Sequence, residues 1–323
     1  MSHRIFAVTS TLAAAVALLS LGASGIAGQA PAPTPNKTSA STTPYVPPKT
    51  PWGDPDLQGH WPTTGMIPLQ KALPGSAGRG GKGKGKQQAP PAPNARPRPA
   101  SMVVDPPDGR LPPLTAEAVK RRAEANGGKG FPAEWKGFAD SPEDVNIYIR
   151  CITRGILGSI MPSSYNNGNQ IIQAPGYVII RHEMIHETRI IPLDGRPHVG
   201  KDIKMYMGDS RGHWEGNTLV VETTNMTDKT SVGSNGTGYN GEGGRHSEAL
   251  KLTERFTRVA EDLIQYQAVI DDPLTWTRPY TVEIPLELDR NYGFFEYACH
   301  EGNYALDDIL SGARYEEEKK AGN

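Results

Sequence analysis

The chain has 323 residues and a formal net charge of −1, with 37% apolar and 21% charged residues. A charge so close to zero excludes a general attraction to nucleic acid, because binding a polyanion requires a net basic surface. The composition is that of a globular protein. We expect roughly 190 to 200 ordered residues, which suit one hydrophobic core rather than two.

Residues 1–30 predict a secretory signal peptide. Arg4 supplies the charged start, residues 5–21 form an apolar core, and small residues follow near a cleavage point. An uncleaved anchor is the alternative, because the apolar run is barely long enough to span a bilayer. We therefore expect an exported protein, periplasmic or extracellular, without an integral membrane segment after cleavage. Residues 31–49, rich in Pro, Thr and Ser, predict a disordered linker.

Residues 50–73 predict the first ordered segment, and residues 74–101 predict an insert outside the core. The insert carries Lys and Arg among glycines, prolines and alanines, and it contains no acidic residue. Such a composition suits a tail that binds nucleic acid or another anionic polymer. It also suits a flexible solvated insert, which we favour because the segment has almost nothing apolar to bury.

Residues 102–323 predict a mainly β domain. A short helix over 114–125 begins it, with Thr115 as N-cap and Asn126-Gly127 as the stop. Strands are predicted at 209–225 (a hairpin turning at 215–217), 249–259, 263–270, 275–288 and 294–300, and a C-terminal helix at 304–320. Sequential strands of this kind form an antiparallel meander, and we expect a single β-barrel or a strongly curved meander. The absence of strand–helix alternation excludes a dinucleotide-binding sheet.

Residues 182–186 read HEMIH, the zinc signature of metalloproteases. On a helix, His182 and His186 lie about 6 Å apart and can hold one zinc ion. On a strand they lie about 13 Å apart, at roughly 3.3 Å per residue, and no single ion reaches both. The surrounding β-branched residues favour a continuous strand over 178–190. We therefore expect no metal, with the zinc protein as the alternative.

Strand alternation predicts which side chains enter the core. One face of 178–190 carries Val178, Ile180, His182, Met184, His186, Thr188 and Ile190, and the other carries Ile179, Arg181, Glu183, Ile185, Glu187, Arg189 and Ile191. The first face is the more apolar, so we expect it to face the core or lumen.

Glu254 shares a predicted strand face with Leu250, Leu252 and Phe256. A carboxylate among apolar side chains must be paired or protonated, because an isolated buried charge is very costly. Its partner is expected among His186, Arg189 and His300.

Cys151 and Cys299 are the two cysteines of the chain. In an oxidising compartment a disulfide between them is the default. It would close a loop of about 148 residues and contribute roughly 5 kcal/mol in the chain-entropy model. The alternative is a buried or reactive thiol beside His300.

Polar clusters at 196–198, 208–212 and 299–303 combine histidines with carboxylates. This is the usual arrangement for general acid–base catalysis, because the pKa of histidine lies near 7. Each cluster also has a structural interpretation: Asp209 with Arg211 can stabilise a hairpin, and Glu301 can favour the start of the last helix. The number of such ionisable groups, rather than one motif, indicates a functional site.

From residue 50 onward the chain resembles a family of exported bacterial proteins of uncharacterised function. The resemblance rests on PWGDPDLQGHW (51–61), RCITRG (150–155), YNNGNQIIQAPGY (165–177), EMIHETRIIPLDGRPH (183–198), GDSRGHWEGNTLVVETTN (208–225), LTERFTR (252–258), DDPLTWTRPY (271–280) and EYACHEGNYAL (296–306). It implies secretion and a lipocalin-like barrel, to which the G-x-W at 59–61 also points. Position 182 is not reliably histidine in that family, which implies that HEMIH is accidental.

Three functions follow as hypotheses. The first is an exported enzyme without a cofactor that performs hydrolysis, elimination or isomerisation on a small molecule in a barrel pocket. Its catalytic residues would be His186 and His300 as acid and base, with Glu254 or Glu183 to orient them, and its substrate-binding residues would be Arg189, Arg255, Asp209, Met184 and Trp214. The second is a periplasmic carrier of a small apolar ligand, and the third is the zinc protein.

Overall fold

Two antiparallel sheets build the described part of the chain. The first contains four strands in the order β1 (Gly59–His60), β3 (Asn169–Ala174), β4 (Tyr177–His182) and β5 (Thr188–Pro192). The second contains six strands in the order β2 (Val103–Asp105), β10 (Tyr280–Glu287), β9 (Leu263–Asp271), β8 (Lys251–Ala260), β7 (Thr218–Thr224) and β6 (Asp209–Glu215). The helices described are α1 (Ala116–Glu124), α2 (Gly155–Ile160) and α3 (Ala305–Ala321), with short 3-10 turns at Pro142–Asp144 and Met184–His186.

This computed structural model describes residues 45–63, 65–71, 98–124, 139–145, 147–163, 165–230, 232 and 245–322. The predicted signal peptide at 1–30, residues 31–44 of the linker and residues 74–97 of the basic insert lie outside these residues. Over the ranges described, no helix is both long and apolar enough to cross a membrane.

The six-stranded sheet is a meander because its long strands are joined by tight turns. Glu215 pairs with Thr218 across a two-residue turn in which Gly216 has a φ of +59°, a conformation that glycine adopts without a Cβ clash. Burial alternates along β8, β9 and β10, as expected of strands with one face on a core. The predicted hairpin at 209–225, the two strands after it and both predicted helices are therefore confirmed.

Both sheets contribute to one apolar core. Its largest fully buried side chains are Trp61, Tyr266, Tyr280 and Phe256. Arg258 lies over the ring of Trp61, 5.4 Å from the centroid, and donates to the backbone carbonyls of Asp56 and Glu261. The guanidinium thus satisfies two carbonyls while its charge faces an aromatic ring, which suits a cation at the edge of a core.

The mainly antiparallel β architecture is confirmed, but the described strands do not close into a barrel. Strand pairing stops at β5 in the first sheet and at β6 in the second. Pro192 ends β5 and Pro197 follows in the connection to β6, and neither has the amide hydrogen that a ladder would use. At the opposite edge of the first sheet, β1 contributes only two residues, so few backbone groups are available there for further strand pairing.

The predicted continuous strand over 178–190 is wrong. β4 ends at His182, the chain turns, and β5 returns antiparallel with Arg181 paired to Thr188. Val178 and Ile180 enter the core as predicted, but the turn inverts the faces of the second half. Arg189 is therefore buried, whereas Ile190 is 63% exposed.

The predicted strand at 294–300 is also wrong, because this segment is irregular. Its backbone bonds to side chains instead of a ladder: the amide of Phe295 donates to Glu183 at 3.1 Å. The predicted strand at 275–288 is shorter in the structure, where β10 spans Tyr280–Glu287. β10 starts after Pro279 and shifts register between Thr281 and Val282, and Pro285 lies beyond the residues paired with β2.

A buried ion pair joins the two sheets. Arg189 on β5 donates to both carboxylate oxygens of Glu254 on β8, at 3.0 and 2.5 Å, and the two side chains are 2% and 0% exposed. Tyr266 donates to Glu254 at 3.0 Å, and Ser210 and Thr223 accept from Arg189. Burial alone would lower the pKa of Arg189, but the charge of Glu254 outweighs this effect and raises it.

We predict that Glu254→Gln lowers the free energy of unfolding by about 3–5 kcal/mol, because it leaves the Arg189 charge buried without a partner. The matched control is Arg255→Gln, one residue further along β8. Arg255 points outward and pairs with the exposed Glu215, so its loss should cost no more than about 1 kcal/mol. Urea denaturation of both variants measures the difference, and equal losses would contradict the buried pair.

Candidate functional site

Three tyrosines from separate parts of the chain bring their hydroxyls together. The Tyr148 hydroxyl lies 3.0 Å from that of Tyr165 and 3.4 Å from that of Tyr297. The rings of Tyr165 and Tyr297 are stacked, with centroids 6.4 Å apart and planes inclined by 12°. Tyr165 is 52% exposed, so the tyrosine cluster (Tyr148, Tyr165 and Tyr297) is open to solvent.

A disulfide holds two parts of this cluster together. Cys151 and Cys299 are bonded, with Cα atoms 5.7 Å apart, which confirms the predicted bridge. Cys151 comes three residues after Tyr148, and Cys299 comes two residues after Tyr297. Asn303 adds a second connection by donating to the Ile149 carbonyl and to Cys151 Sγ, each at 3.1 Å. The bridge therefore ties together the segments that carry two of the three tyrosines.

Left-handed backbone surrounds the tyrosine cluster. The described non-glycine residues with positive φ are Cys151, Asn166, Ile185, His186 and Asn225. Cys151 belongs to the bridge, Asn166 follows Tyr165, and His186 contacts the backbone of Tyr297. For a β-branched residue such as Ile185 this conformation is an outlier. Each such residue costs about 1–3 kcal/mol, and they concentrate at functional sites.

A buried arginine lies behind the cluster. Arg154, the residue before α2, is 6% exposed, and its guanidinium lies over the Tyr148 ring, 5.3 Å from the centroid. Among the described residues it has no carboxylate partner, and its Nη2 has no hydrogen-bond partner. Burial lowers the pKa of Arg154, and the interactions with the three tyrosines offset this loss of hydration only in part.

The three phenols differ in acidity. Hydrogen bonds from Tyr148 and Tyr297 lower the pKa of Tyr165, and the charge of Arg154 adds to the effect. Burial raises the pKa of Tyr148 and that of Tyr297. Tyr165 is the most exposed of the three, so it is the phenol that loses its proton first.

His186 and Met184 are the predicted site residues that lie at the tyrosine cluster. His186 is exposed at its rim, with Nδ1 3.2 Å from the Tyr297 carbonyl. Met184 is buried beneath it, with its sulfur 3.8 Å from the Tyr148 hydroxyl. His300 is exposed, and no contact of its side chain joins it to His186 in the described residues.

Glu183 has a structural role, because its carboxylate is occupied by hydrogen bonds within the protein. Its buried carboxylate accepts four hydrogen bonds, from the Asn166 side chain, the Gly168 amide, the Tyr292 hydroxyl and the Phe295 amide. All four donors come from segments next to the site, so Glu183 positions the site. A carboxylate with four donors has no free lone pair directed at a substrate.

The remaining predicted residues lie apart from the tyrosine cluster. Glu254 and Arg189 form the buried pair between the sheets, and Arg255 bonds Glu215 on the outer face. Asp209 accepts from His198 at 3.0 Å and from Arg211 at 2.6 Å. Trp214 packs partly buried against the core.

The HEMIH segment does not have the geometry that zinc requires. His182 ends β4 and is fully buried, whereas His186 is exposed after a turn through the left-handed Ile185. The helix that would align the two rings is therefore not formed. Within the described ranges, no group of three or more His, Cys, Asp or Glu side chains is arranged to hold a metal ion.

His182 is instead a neutral core residue. Its Nδ1 lies 2.8 Å from Asn169 Oδ1, which accepts a hydrogen bond and so places the proton on Nδ1. Burial lowers the pKa of His182 to about 3, and the charges of Arg189 and Arg154 contribute.

Sequence comparison adds no relationship to this geometry. No protein-family model matches the chain, and no curated protein matches it.

We predict that His182 makes the protein less stable as the pH falls. Its pKa is about 3 when folded and 6.5 when unfolded, so the unfolded state binds the proton first and stability is lost from about pH 6.5 down to 3. The slope is about 1.4 kcal/mol per pH unit. Urea denaturation at pH 4 to 7 should show a flatter slope for His182→Gln, while the exposed control His186→Gln keeps the wild-type slope. An unchanged slope in His182→Gln would rule out this account.

The double variant Cys151→Ser/Cys299→Ser should lose about 2–5 kcal/mol of unfolding free energy. Its near-ultraviolet circular dichroism should also weaken, because the segments carrying Tyr148 and Tyr297 are no longer tied together. Wild-type stability and an unchanged tyrosine signal would show that the bridge does not hold the cluster.

Proposed function

We propose that this chain is an exported enzyme that transfers protons to and from a small organic substrate at the tyrosine cluster. The observation that carries the proposal is the convergence of three phenol hydroxyls, within 3.0 to 3.4 Å, beside a buried arginine and strained backbone. Such sites hold a reactive group at a shifted pKa. The disulfide and the predicted signal peptide support export into an oxidising compartment.

In this proposal Tyr165 is the general base. Two neighbouring hydroxyls donate to its oxygen and Arg154 supplies positive charge, so its phenolate forms more readily than that of an ordinary tyrosine. The phenolate removes a proton from the substrate and returns it to another position or to water. Tyr148 and Tyr297 stay protonated and stabilise negative charge as it develops.

His186 is the second acid–base group of the proposal, at the rim of the cluster. Its Nδ1 faces the Tyr297 carbonyl, so Nδ1 carries a proton and Nε2 is the acceptor. Its neighbour Glu187 is half-buried and bonds Thr153, and burial raises the pKa of that carboxyl. His300, exposed and without a contact to the cluster, has no role in this mechanism.

A small-ligand carrier is the second candidate function. An open cleft of about 690 Å³ lies beside β1 and the end of β10. Its lining includes Tyr45, Gln58, His60, Arg258, Leu288 and Arg290. Arg258, one of the lining residues, packs on the ring of Trp61 in the core. A carrier would bind its ligand here, and substitutions at the tyrosine cluster would not affect it.

We predict one tyrosine with a lowered pKa in the wild type, which Tyr165→Phe removes. The measurement is a spectrophotometric titration at 295 nm between pH 6 and 12. The control Tyr315→Phe removes an exposed tyrosine of α3 and should leave the lowered pKa in place. A titration curve that Tyr165→Phe does not change at its acidic end would remove the base from the mechanism.

Turnover is tested by deuterium exchange. Small keto acids, esters and hydroxy acids are incubated in D₂O with the protein, and loss of C–H signals is followed by proton NMR. Tyr165→Phe should slow exchange about 100-fold or more, and His300→Ala should leave both the exchange rate and the melting temperature unchanged. Equal rates in Tyr165→Phe and wild type would favour the carrier.

A further inference from the structure

Arg154 is a buried charge that has no carboxylate partner in the part of the chain that the structure describes. Arg189 and Arg258 are about equally buried, yet the first bonds a carboxylate and the second bonds two backbone carbonyls. The Arg154 Nη2 has no such acceptor among the described residues. An uncompensated buried charge opposes folding by several kcal/mol. An acceptor brought by a ligand would remove this penalty.

The surroundings of Arg154 are suited to an oxygen anion. The Tyr148 hydroxyl lies 3.0 Å from that of Tyr165 and 3.4 Å from that of Tyr297, and the Arg154 guanidinium lies over the Tyr148 ring, 5.3 Å from its centroid. Hydroxyl donors and a guanidinium converging on one place stabilise negative charge on oxygen.

We infer that Arg154 and the hydroxyls of Tyr148 and Tyr297 bind the carboxylate of a small organic acid, beside the Tyr165 base. This inference rests on the proposed function, whose substrate would then be a carboxylic acid. A carboxylate carries one negative charge, which one guanidinium neutralises, and its planar oxygens match the guanidinium fork. A phosphate monoester carries about −1.5 to −2 at pH 7 and would leave excess negative charge among the phenols.

The stacked rings of Tyr165 and Tyr297 suggest what adjoins the carboxylate. Their nearly parallel planes, one of them half-exposed, offer a flat apolar surface next to the hydroxyls. A planar or aromatic acid would stack on this surface while its carboxylate reaches Arg154. Benzoate is therefore the probe of choice, and benzamide is its neutral isostere.

The test is binding of benzoate, benzamide and inorganic phosphate to the full chain, measured by calorimetry. We expect benzoate to bind at least about tenfold more tightly than either competitor, and Arg154→Met to weaken benzoate at least about tenfold. Arg150→Met is the matched control: it removes a charge four residues away, where Arg150 faces Glu143, and should leave benzoate affinity unchanged. Equal benzoate affinity in Arg154→Met, or a preference for phosphate, would overturn the inference.

Thermal unfolding shows whether a loss of benzoate binding in Arg154→Met results from a loss of folding. Removing an unpaired buried charge should raise the melting temperature of Arg154→Met or leave it unchanged. A large decrease would mean that Arg154 already has a structural partner, which overturns the inference. Arg154→Lys keeps the charge without the fork, and we expect an intermediate benzoate affinity.

Tyr165→Phe separates this inference from the proposed function. It keeps Arg154 and two hydroxyls, so benzoate affinity should fall by no more than about threefold, whereas the lowered phenol pKa and the deuterium exchange disappear. Benzoate binding that depends on Arg154 without any exchange activity would support the carboxylate site and reject the enzyme. Exchange activity without benzoate binding would do the reverse.

Discussion

The carboxylate of Glu183 is the constraint on which this region depends. Its four hydrogen-bond donors are the Asn166 side chain, the Gly168 amide, the Tyr292 hydroxyl and the Phe295 amide. They join Glu183 to residues 166–168, 15 to 17 positions before it, and to residues 292–295, 109 to 112 positions after it. Tyr165, His186 and Tyr297 are brought together with them. Gly168 has to be glycine, since a Cβ there would lie 2.7 Å from the Glu183 carboxylate. Burying this charge is tolerable because every donor is in place, and the same donors hold the chain in its turn after β4.

Two buried arginines show how a fold distinguishes structure from function. Arg189 is bonded to Glu254 and flanked by hydroxyls, and it couples the two sheets. Arg154 has comparable burial but no acceptor for its Nη2 among the described residues. Both guanidinium groups lose hydration on burial, but only Arg189 gains a bond to a carboxylate in exchange. Arg154 is therefore the group at which we propose that a ligand binds.

The candidate site is assembled from irregular segments rather than from the sheets. Tyr148 and Arg154 lie around α2, Tyr165 precedes β3, and Tyr297 lies in the segment that was expected to be a strand. These segments are held by the disulfide, by Glu183 and by left-handed residues next to the tyrosines. The sheets supply a rigid support, and the loops carry the candidate site, as is common for binding and catalytic sites. Such a site loses its geometry when its tethers are cut, even if the sheets stay folded.

The sequence by itself determined β6 to β10 of the large meander, its hairpin turn, the terminal helix and the cysteine pair, but not β2. These follow from period-two burial, turn residues and cysteine count, which act over a few residues or over the whole chain. It also identified Glu254 as a carboxylate in need of a partner. Only the tertiary structure decided that the chain turns at 183–187, because donors remote in sequence overrule the β preference of Ile185. The tyrosine cluster could not be predicted from the sequence either, because the spacing of Tyr148, Tyr165 and Tyr297 follows no known motif. Their proximity arises only when the disulfide and Glu183 bring three loops together.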